Sequence, residues 1–183
     1  MSISPPPSTA NEIFLSPEEE FPLRTPIYTS KKSEQKGSLT MINEEIADSM
    51  IRMAKEARLH AYGPYSKASV GACALTSDGT LYGGCNVENA SYGLSCCAER
   101  IAVYKAVADS KREFDAVAVV ADTEEPFVPC GACCQVMAEF AIPEIIMANL
   151  KGDIRVLTLK ELAPYVVTMG TNKKLCCPDE EDT

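Results

Sequence analysis

Apolar residues recur with helical spacing over residues 43–61. The apolar positions, separated by Glu, Lys and Arg, are Ile46, Met50, Met53, Ala54 and Ala57. A spacing near 3.6 residues predicts a helix with one face toward the core. His60, the only histidine of the chain, lies at the end of this stretch. With no second histidine to share a metal, we interpret His60 as structural.

A hairpin is predicted next along the chain. Residues 68–76 are mostly apolar and predict a buried strand, and residues 81–87 predict the returning strand. Between them, the segment Ser77-Asp78-Gly79-Thr80 has the Asp-Gly pair that is typical of tight hairpin turns. Residues 88–93 are polar and predict a loop.

The second half of the chain alternates helical and strand patterns. Helices are predicted over residues 97–109, 130–140 and 159–163, the last with Thr158 as N-cap. Residues 116–121 are a continuous apolar run typical of a buried central strand, and 145–148 and 154–157 predict two short strands. Strand–helix–strand units predict an α/β domain in which helices pack on a mixed sheet.

The two ends of the chain lack hydrophobic periodicity. Residues 1–40 are rich in Pro and polar residues, and residues 168–183 end in an acidic run. We interpret both as disordered extensions of a single catalytic domain over residues 41–167. Ile13-Phe14-Leu15 is an alternative docking motif, although a featureless extension is the preferred interpretation. Cys176-Cys177 is interpreted as inert.

Composition narrows the function. The net charge of −9 and pI of about 4.7 favour a small-molecule substrate over a nucleic-acid polymer. The chain has no apolar run long enough to span a membrane, and its first residues do not resemble a secretory signal. Nine cysteines in this context predict reduced thiols, metal binding and a cytoplasmic location.

Two short motifs suggest a metal centre. Cys97-Ala98-Glu99 begins one predicted helix, and Pro129-Cys130-Gly131-Ala132-Cys133 begins the next. Cys130 and Cys133 share one side of a helix start, so with Cys97 they can offer three thiolates and leave the fourth position of a catalytic Zn²⁺ open. Cys96 and Cys134 are each about 100° around a helix from a ligand and are expected to point away.

Charge and acid–base chemistry complete this hypothesis. Three thiolates give Zn²⁺ a net charge near −1, which two helix N-termini and the cation of Arg100 can offset. Glu99 lies two residues from Cys97, where a carboxylate can transfer a proton during hydrolytic deamination. The alternatives are a structural zinc knuckle, and for Glu99 a surface residue paired with Arg100 or Lys105.

Residues 45–164 resemble the small homotetrameric cytidine deaminases. The resemblance rests on the zinc motifs and on further segments, namely Gly63-Pro64-Tyr65-Ser66-Lys67, Val70-Gly71-Ala72, Gly84-Cys85-Asn86-Val87-Glu88-Asn89-Ala90-Ser91-Tyr92-Gly93 and Ala121-Asp122-Thr123. It implies a three-layer α/β/α sandwich with a five-stranded mixed sheet. It also implies one Zn²⁺ per subunit and active sites at subunit interfaces of a homotetramer.

The resemblance also implies residue roles. Cys97, Cys130 and Cys133 would bind the zinc, and Glu99 would transfer the proton. Asn86 and Glu88 would hold the ribose 3′-hydroxyl, although an Asn and a Glu in a loop can equally be turn-forming residues. A backbone contact to the base is implied for Ala98.

Three positions depart from the pattern of this family. Ala68 stands where a Phe stacks on the pyrimidine, and Val167 stands where a second Phe reaches in from a neighbouring subunit. Cys134 replaces the Arg that usually follows the last zinc-binding Cys. Loss of an aromatic face is expected to weaken cytidine binding or alter the choice of base; the candidate replacements are Tyr62, Tyr65 and Tyr165.

The sequence therefore predicts a zinc-dependent enzyme that deaminates cytidine and deoxycytidine in pyrimidine salvage. One alternative is a deaminase of a modified or larger-base nucleoside, of the blasticidin type. The other is a non-catalytic zinc-binding paralogue, which the retained Glu99 disfavours.

Overall fold

The computed structural model describes residues 42–167. The predicted disordered segments 1–40 and 168–183, with Ile13-Phe14-Leu15 and Cys176-Cys177, lie outside the described residues. The helices of the described range are α1 Glu44–Arg58, α2 Ala98–Ala108, α3 Gly131–Glu139 and α4 Leu159–Leu162. The strands are β1 Val70–Thr76, β2 Leu81–Cys85, β3 Phe114–Ala121, β4 Glu144–Asn149 and β5 Ile154–Thr158.

The strands form one mixed sheet in the order β2-β1-β3-β4-β5. Strands β1 and β2 are an antiparallel hairpin, and β1 also pairs antiparallel with β3. Strands β3 and β4 are parallel and are joined through α3, whereas β5 returns antiparallel to β4. Within the described residues, the predicted five-stranded mixed sheet is confirmed.

Helices cover both faces of the sheet and make three layers. On one face, α1 buries Met50 and Ala54 in a cluster with Cys73, Leu75 and Val120. On the other face, α2 and α3 close a larger cluster, whose members include Ala102, Val103, Val119, Met137 and Ile145. The strands β1 and β4 are buried along their whole length, as expected of strands covered on both sides.

Two glycines allow the helices to lie directly on the hairpin. A Cβ on Gly71 would lie 1.9 Å from the Ala54 carbonyl oxygen of α1, and a Cβ on Gly84 would lie 2.5 Å from the Ala98 carbonyl oxygen of α2. Contacts this short cannot exist, so both positions need a residue without a side chain. Close packing of α2 on β2 fixes the height of the first turn of α2 above the sheet.

The predicted element boundaries shift by a few residues. Helix α1 starts where Asn43 accepts a hydrogen bond from the backbone N–H of Ile46 at 2.8 Å, and it ends at Arg58. Strand β3 starts at Phe114, two residues earlier than predicted, because Phe114 pairs with Thr76 across a register shift. A short 3₁₀ turn, Tyr92–Leu94, lies within the predicted polar loop.

Chain topology brings several segments to one edge of the sheet. Val70 at the start of β1 pairs with Ala121 at the end of β3, and Gly71 pairs with Cys85 at the end of β2. The loops that follow β2 and β3 lead into α2 and α3. The N-termini of both helices therefore lie at this edge. No described helix is long and apolar enough to cross a membrane.

Candidate active site

Three cysteine sulfurs converge between α2 and α3. Cys97 is the N-cap of α2, Cys130 is the N-cap of α3, and Cys133 lies in the first turn of α3. The Sγ atoms of Cys97 and Cys130 are 3.8 Å apart, and those of Cys130 and Cys133 are 3.6 Å apart. Tetrahedral Zn²⁺ with bonds of about 2.3 Å to sulfur requires sulfurs separated by about 3.8 Å. The three thiols therefore fit a zinc ion.

The neighbouring cysteines do not join this group. The cluster of described residues that can hold a metal contains Cys97, Cys130 and Cys133 and leaves out Cys96 and Cys134. The Cys134 sulfur is buried and faces the carbonyl oxygen of Pro129 at 3.9 Å. A three-ligand set with an open position is typical of a catalytic rather than a structural zinc site.

Positive groups compensate the thiolate charge. The guanidinium of Arg100 donates to the Cys97 sulfur at 3.3 Å and to the Ser95 carbonyl at 3.2 Å. A hydrogen bond from the Cys133 thiol, followed by those from Arg100, lowers the pKa of Cys97 to about 5. The pKa of Cys133 is raised, because its thiol shares its proton with the Cys97 thiolate. The N-termini of α2 and α3 add partial positive charge at the same point.

Glu99 is buried beside the thiols. Its side chain is 2% exposed, so it is not a surface residue. Its Oε2 atom has no hydrogen-bond partner within residues 42–167. Burial, with the negative charge of Cys97, raises the Glu99 pKa to about 7. Lys105, the alternative partner, instead donates to the Gly83 carbonyl. A buried carboxylate with one unpartnered oxygen next to a metal-type cluster is available to a bound molecule.

Asn86 joins the end of β2 to the start of β1. Its side-chain oxygen accepts from the Val70 N–H at 2.8 Å, and its amide donates to the Ala68 carbonyl at 3.0 Å. The residue is 8% exposed. One amide N–H and one oxygen lone pair remain for a ligand. Asn86 thus stabilises the fold and also lines the site.

Glu88 is held by the turn that precedes β1. Its carboxylate accepts from the backbone N–H groups of Tyr65 at 2.9 Å and Ser66 at 3.1 Å, and from the Ser66 hydroxyl. These bonds, the Ser66 hydroxyl first, hold the pKa of Glu88 below its usual range. Glu88 is therefore ionised near neutral pH and fixed in orientation.

The chain around Asn86 and Glu88 is tied on both sides. Tyr62 donates its N–H to the Asn86 carbonyl at 2.9 Å and accepts from the Glu88 N–H at 2.8 Å. Val87 and Cys96 exchange two backbone hydrogen bonds of 2.9 Å each. This polar segment therefore has a defined backbone although the sequence predicts only a loop there.

One cavity of about 360 Å³ connects these groups. Its volume suits a small molecule. Of the predicted site residues, the lining contains Asn86, Glu88, Cys97, Ala98, Glu99, Arg100 and Cys130. Cys133 is fully buried behind them. The structure thus brings the predicted residues together.

The cavity also has lining residues to which the sequence assigned no role, namely Ser66, Val70, Tyr92, Ser95, Phe127 and Val128. Ala68, which stands in place of a stacking Phe, also lines the cavity, and so does Cys96, which was expected to point away. Phe127 could have been noticed, since it lies two residues before Pro129 of the Pro-Cys motif. Tyr62, Tyr65 and Tyr165 were candidate replacements for a missing aromatic, but they are absent from this lining.

Residues 44–149 match the family described as the cytidine and deoxycytidylate deaminase zinc-binding region. The match covers most of the described domain and includes every predicted site residue. The chain therefore belongs to this family of deaminases, which are hydrolytic enzymes.

Within the family, cytidine deaminases are highly similar to this chain. The cytidine deaminase of Sporosarcina psychrophila is 53% identical over 120 residues, which are 64% of this chain and 88% of that protein. The crystal structure of cytidine deaminase from Burkholderia pseudomallei aligns with a TM-score of 0.64 and 47% identity, covering 69% of this chain and 100% of that one. Blasticidin-S deaminase of Bacillus cereus is 26% identical over 111 residues, 56% of this chain and 79% of that protein.

Proposed function

We propose that this protein deaminates cytidine and deoxycytidine hydrolytically, as part of pyrimidine salvage. The observation that carries the proposal is the buried Glu99 carboxylate, whose Oε2 atom has no partner in the described range, beside three thiols in a cavity that also contains Asn86 and Glu88. The similarity to cytidine deaminases supports the choice of substrate.

Cys97, Cys130 and Cys133 would hold a Zn²⁺ ion. When bound, the ion lowers the pKa of water and so supplies a hydroxide nucleophile near neutral pH. Arg100 limits the charge of the thiolates through its bond to Cys97. The same cation keeps Cys97 in the thiolate form that metal binding requires.

Glu99 transfers the protons of the reaction. As a carboxylate near its pKa at neutral pH, it can accept a proton and release it again. Water adds to carbon 4 of the cytosine ring, and Glu99 delivers the proton to the ring nitrogen N3. Glu99 then moves the proton of the new C4 hydroxyl to the amino group, the carbon–nitrogen bond breaks, ammonia leaves, and the C4 carbonyl of the uracil ring forms.

Asn86 and Glu88 orient the nucleoside through its sugar. The free amide N–H of Asn86 and the ionised, fixed carboxylate of Glu88 suit a ribose hydroxyl, which is both donor and acceptor. Ala98, fully buried at the start of α2, supplies a backbone contact to the base.

An ultraviolet assay tests this function. The zinc-loaded protein is expected to deplete cytidine and deoxycytidine, whereas Glu99→Ala is expected to be inactive with its zinc content and assembly unchanged. A folded, zinc-loaded protein that turns over neither nucleoside would exclude the proposed substrates. Active Glu99→Ala would exclude the proposed proton transfer.

A larger-base nucleoside is the second candidate substrate. The small side chain of Ala68 in the cavity lining favours it. Turnover of blasticidin S with a higher kcat/KM than that of cytidine would support this alternative. A non-catalytic zinc-binding role would be supported if neither substrate reacts.

We also propose that the active unit is a homotetramer with sites at subunit interfaces. Large apolar side chains stand exposed around the cavity segments, among them Tyr62, Tyr65, Val87, Tyr92, Leu94 and Val128. Such a group of exposed apolar side chains is rare on a monomeric protein and usually marks an interaction surface. Light scattering coupled to gel filtration is expected to give four times the chain mass of 19.8 kDa.

The catalytic domain is proposed to need only residues 41–167 and to act in the cytoplasm. The cysteines of the described range are all free thiols, which suits a reducing compartment. A variant lacking residues 1–40 and 168–183 is expected to keep its kcat/KM. Cell fractionation tests the location.

A further inference from the structure

The cavity contains one firmly anchored aromatic ring, that of Phe127. The other aromatic residue in the lining is Tyr92, whose side chain is 73% exposed and packs edge-on against Tyr65 with ring centroids 5.7 Å apart. Ala68, Val70 and Val128 contribute only aliphatic surface. Phe127 is therefore the aromatic surface that can meet a ligand inside the cavity.

Local structure holds Phe127 in place before any ligand arrives. Its backbone N–H donates to the Ala148 carbonyl of β4 at 3.2 Å. Its side chain is half-buried and packs against the core cluster that contains Ala98 and Cys133. Pro126 and Pro129 restrict the backbone on both sides. A ring fixed in this way loses little conformational entropy when a planar group stacks on it.

The polar groups of the cavity leave the faces of a bound base to the apolar lining. Glu99 and the thiol cluster act on the edge of the pyrimidine that carries the amino group, and Asn86 and Glu88 act on the sugar. Within this chain, the surfaces left for the two ring faces are Phe127 and the aliphatic side chains of the lining.

We infer that Phe127 is the residue on which the pyrimidine base stacks, and that it thereby determines affinity for the nucleoside. This inference rests on the proposed function, because it takes a pyrimidine nucleoside as the ligand. Stacking of a base on an aromatic side chain changes affinity by about 5- to 150-fold.

Steady-state kinetics with matched variants test the inference. Phe127→Leu keeps the apolar volume but removes the aromatic face, and it is expected to raise the KM for cytidine by about 10-fold with little change in kcat. Phe127→Tyr is expected to restore the parental KM. Phe140→Leu is the control, since Phe140 is a half-buried ring outside the cavity that packs edge-on against Phe114 at 5.5 Å.

A purely structural role for Phe127 predicts a different pattern. It would lower the melting temperature and zinc content of Phe127→Leu together with kcat. A KM for Phe127→Leu within about twofold of the parental value would overturn the inference, as would an equal rise in Phe140→Leu.

Binding separates this inference from the proposed reaction. Cytidine binding is measured by calorimetry in Glu99→Ala, with and without Phe127→Leu. Turnover by the parent without any Phe127 effect would overturn the stacking role alone. Binding that depends on Phe127, in a parent without turnover, would overturn the reaction alone. A parent that neither binds nor reacts would overturn both.

Discussion

Carboxylates at the two ends of the central sheet differ in how completely they are hydrogen-bonded within the chain. At the hairpin turn, Asp78 accepts from the Thr76 hydroxyl at 2.6 Å and the Thr80 N–H at 3.2 Å, and it pairs with Lys111. At the other end, the Oε2 atom of Glu99 has no partner within the described chain. A carboxylate whose bonds are all made inside the chain contributes to stability. One that is buried with an oxygen left unpartnered is available for chemistry.

Removing a metal ligand should give the largest effect. Cys133→Ser replaces a fully buried sulfur of the thiol cluster with a hydroxyl that binds zinc poorly. We expect loss of bound zinc and of detectable turnover, measured by elemental analysis and the ultraviolet assay. Cys134→Ser is the matched control, because Cys134 is the adjacent buried cysteine outside the cluster. Retention of one zinc per chain in Cys133→Ser would contradict the assignment.

Glu99→Gln tests the proton transfer without altering the shape of the site. The amide cannot accept and return a proton, so kcat should fall by about 10²- to 10⁴-fold. Zinc content should stay at the parental level, since Glu99 is not among the three thiol ligands. A kcat within tenfold of the parental value would show that another group moves the protons.

Glu88→Gln should have a smaller effect and act on binding. It removes the charge that the Tyr65 and Ser66 donors hold in place. A hydrogen bond to a charged group is stronger than one between neutral groups, so KM should rise by roughly 10-fold with kcat less affected. Glu56→Gln, on the solvent-exposed face of α1, is the control. A change in kcat alone would place Glu88 in the chemistry instead.

Asp78→Ala should give the smallest effect and act on stability. Hydrogen bonds from Lys111, then Thr76, hold the pKa of Asp78 well below its usual range. Because the side chain is 47% exposed, we expect a loss of only about 1 kcal/mol in the free energy of unfolding. The kcat/KM for cytidine should not change.

The difference in the free energy of unfolding between the parent and Asp78→Ala depends on pH in a definite direction. A depressed folded-state pKa means that the carboxylate stabilises the fold above the unfolded pKa of about 3.9. The difference between parent and Asp78→Ala should thus be constant near pH 7 and shrink as the pH falls below about 4. Denaturant titrations at several pH values measure it. A difference that grows on acidification would contradict the ion-pair explanation.

The sequence predicts those site residues whose relative positions depend only on their spacing along one helix or strand. Cys97 and Glu99 share a helix start, as do Cys130 and Cys133, so helical geometry alone places them. The hairpin follows from Asp78-Gly79, where Gly79 adopts a positive φ of 84°. The buried strands follow from continuous apolar runs.

The walls of the cavity could not be predicted in this way. Phe127 and Ala68 lie 59 positions apart in the sequence, and only the sheet order brings β1 next to β3 and its following loop. The side-chain hydrogen bonds of Asn86 could not be predicted either, because an Asn after a strand is typical of a turn. Non-local packing, rather than local propensity, determines these features.

Gly84 limits the substitutions that this chain can accept. The residue has no functional group, yet a methyl group there would meet the Ala98 carbonyl and the Ala102 N–H at 2.5 Å each. Any side chain at position 84 would push outward the helix on which both Cys97 and Glu99 depend. A single added carbon atom at this position would therefore disturb the reaction geometry, although the position touches neither metal nor substrate. Searches for inactive natural variants should include this silent position.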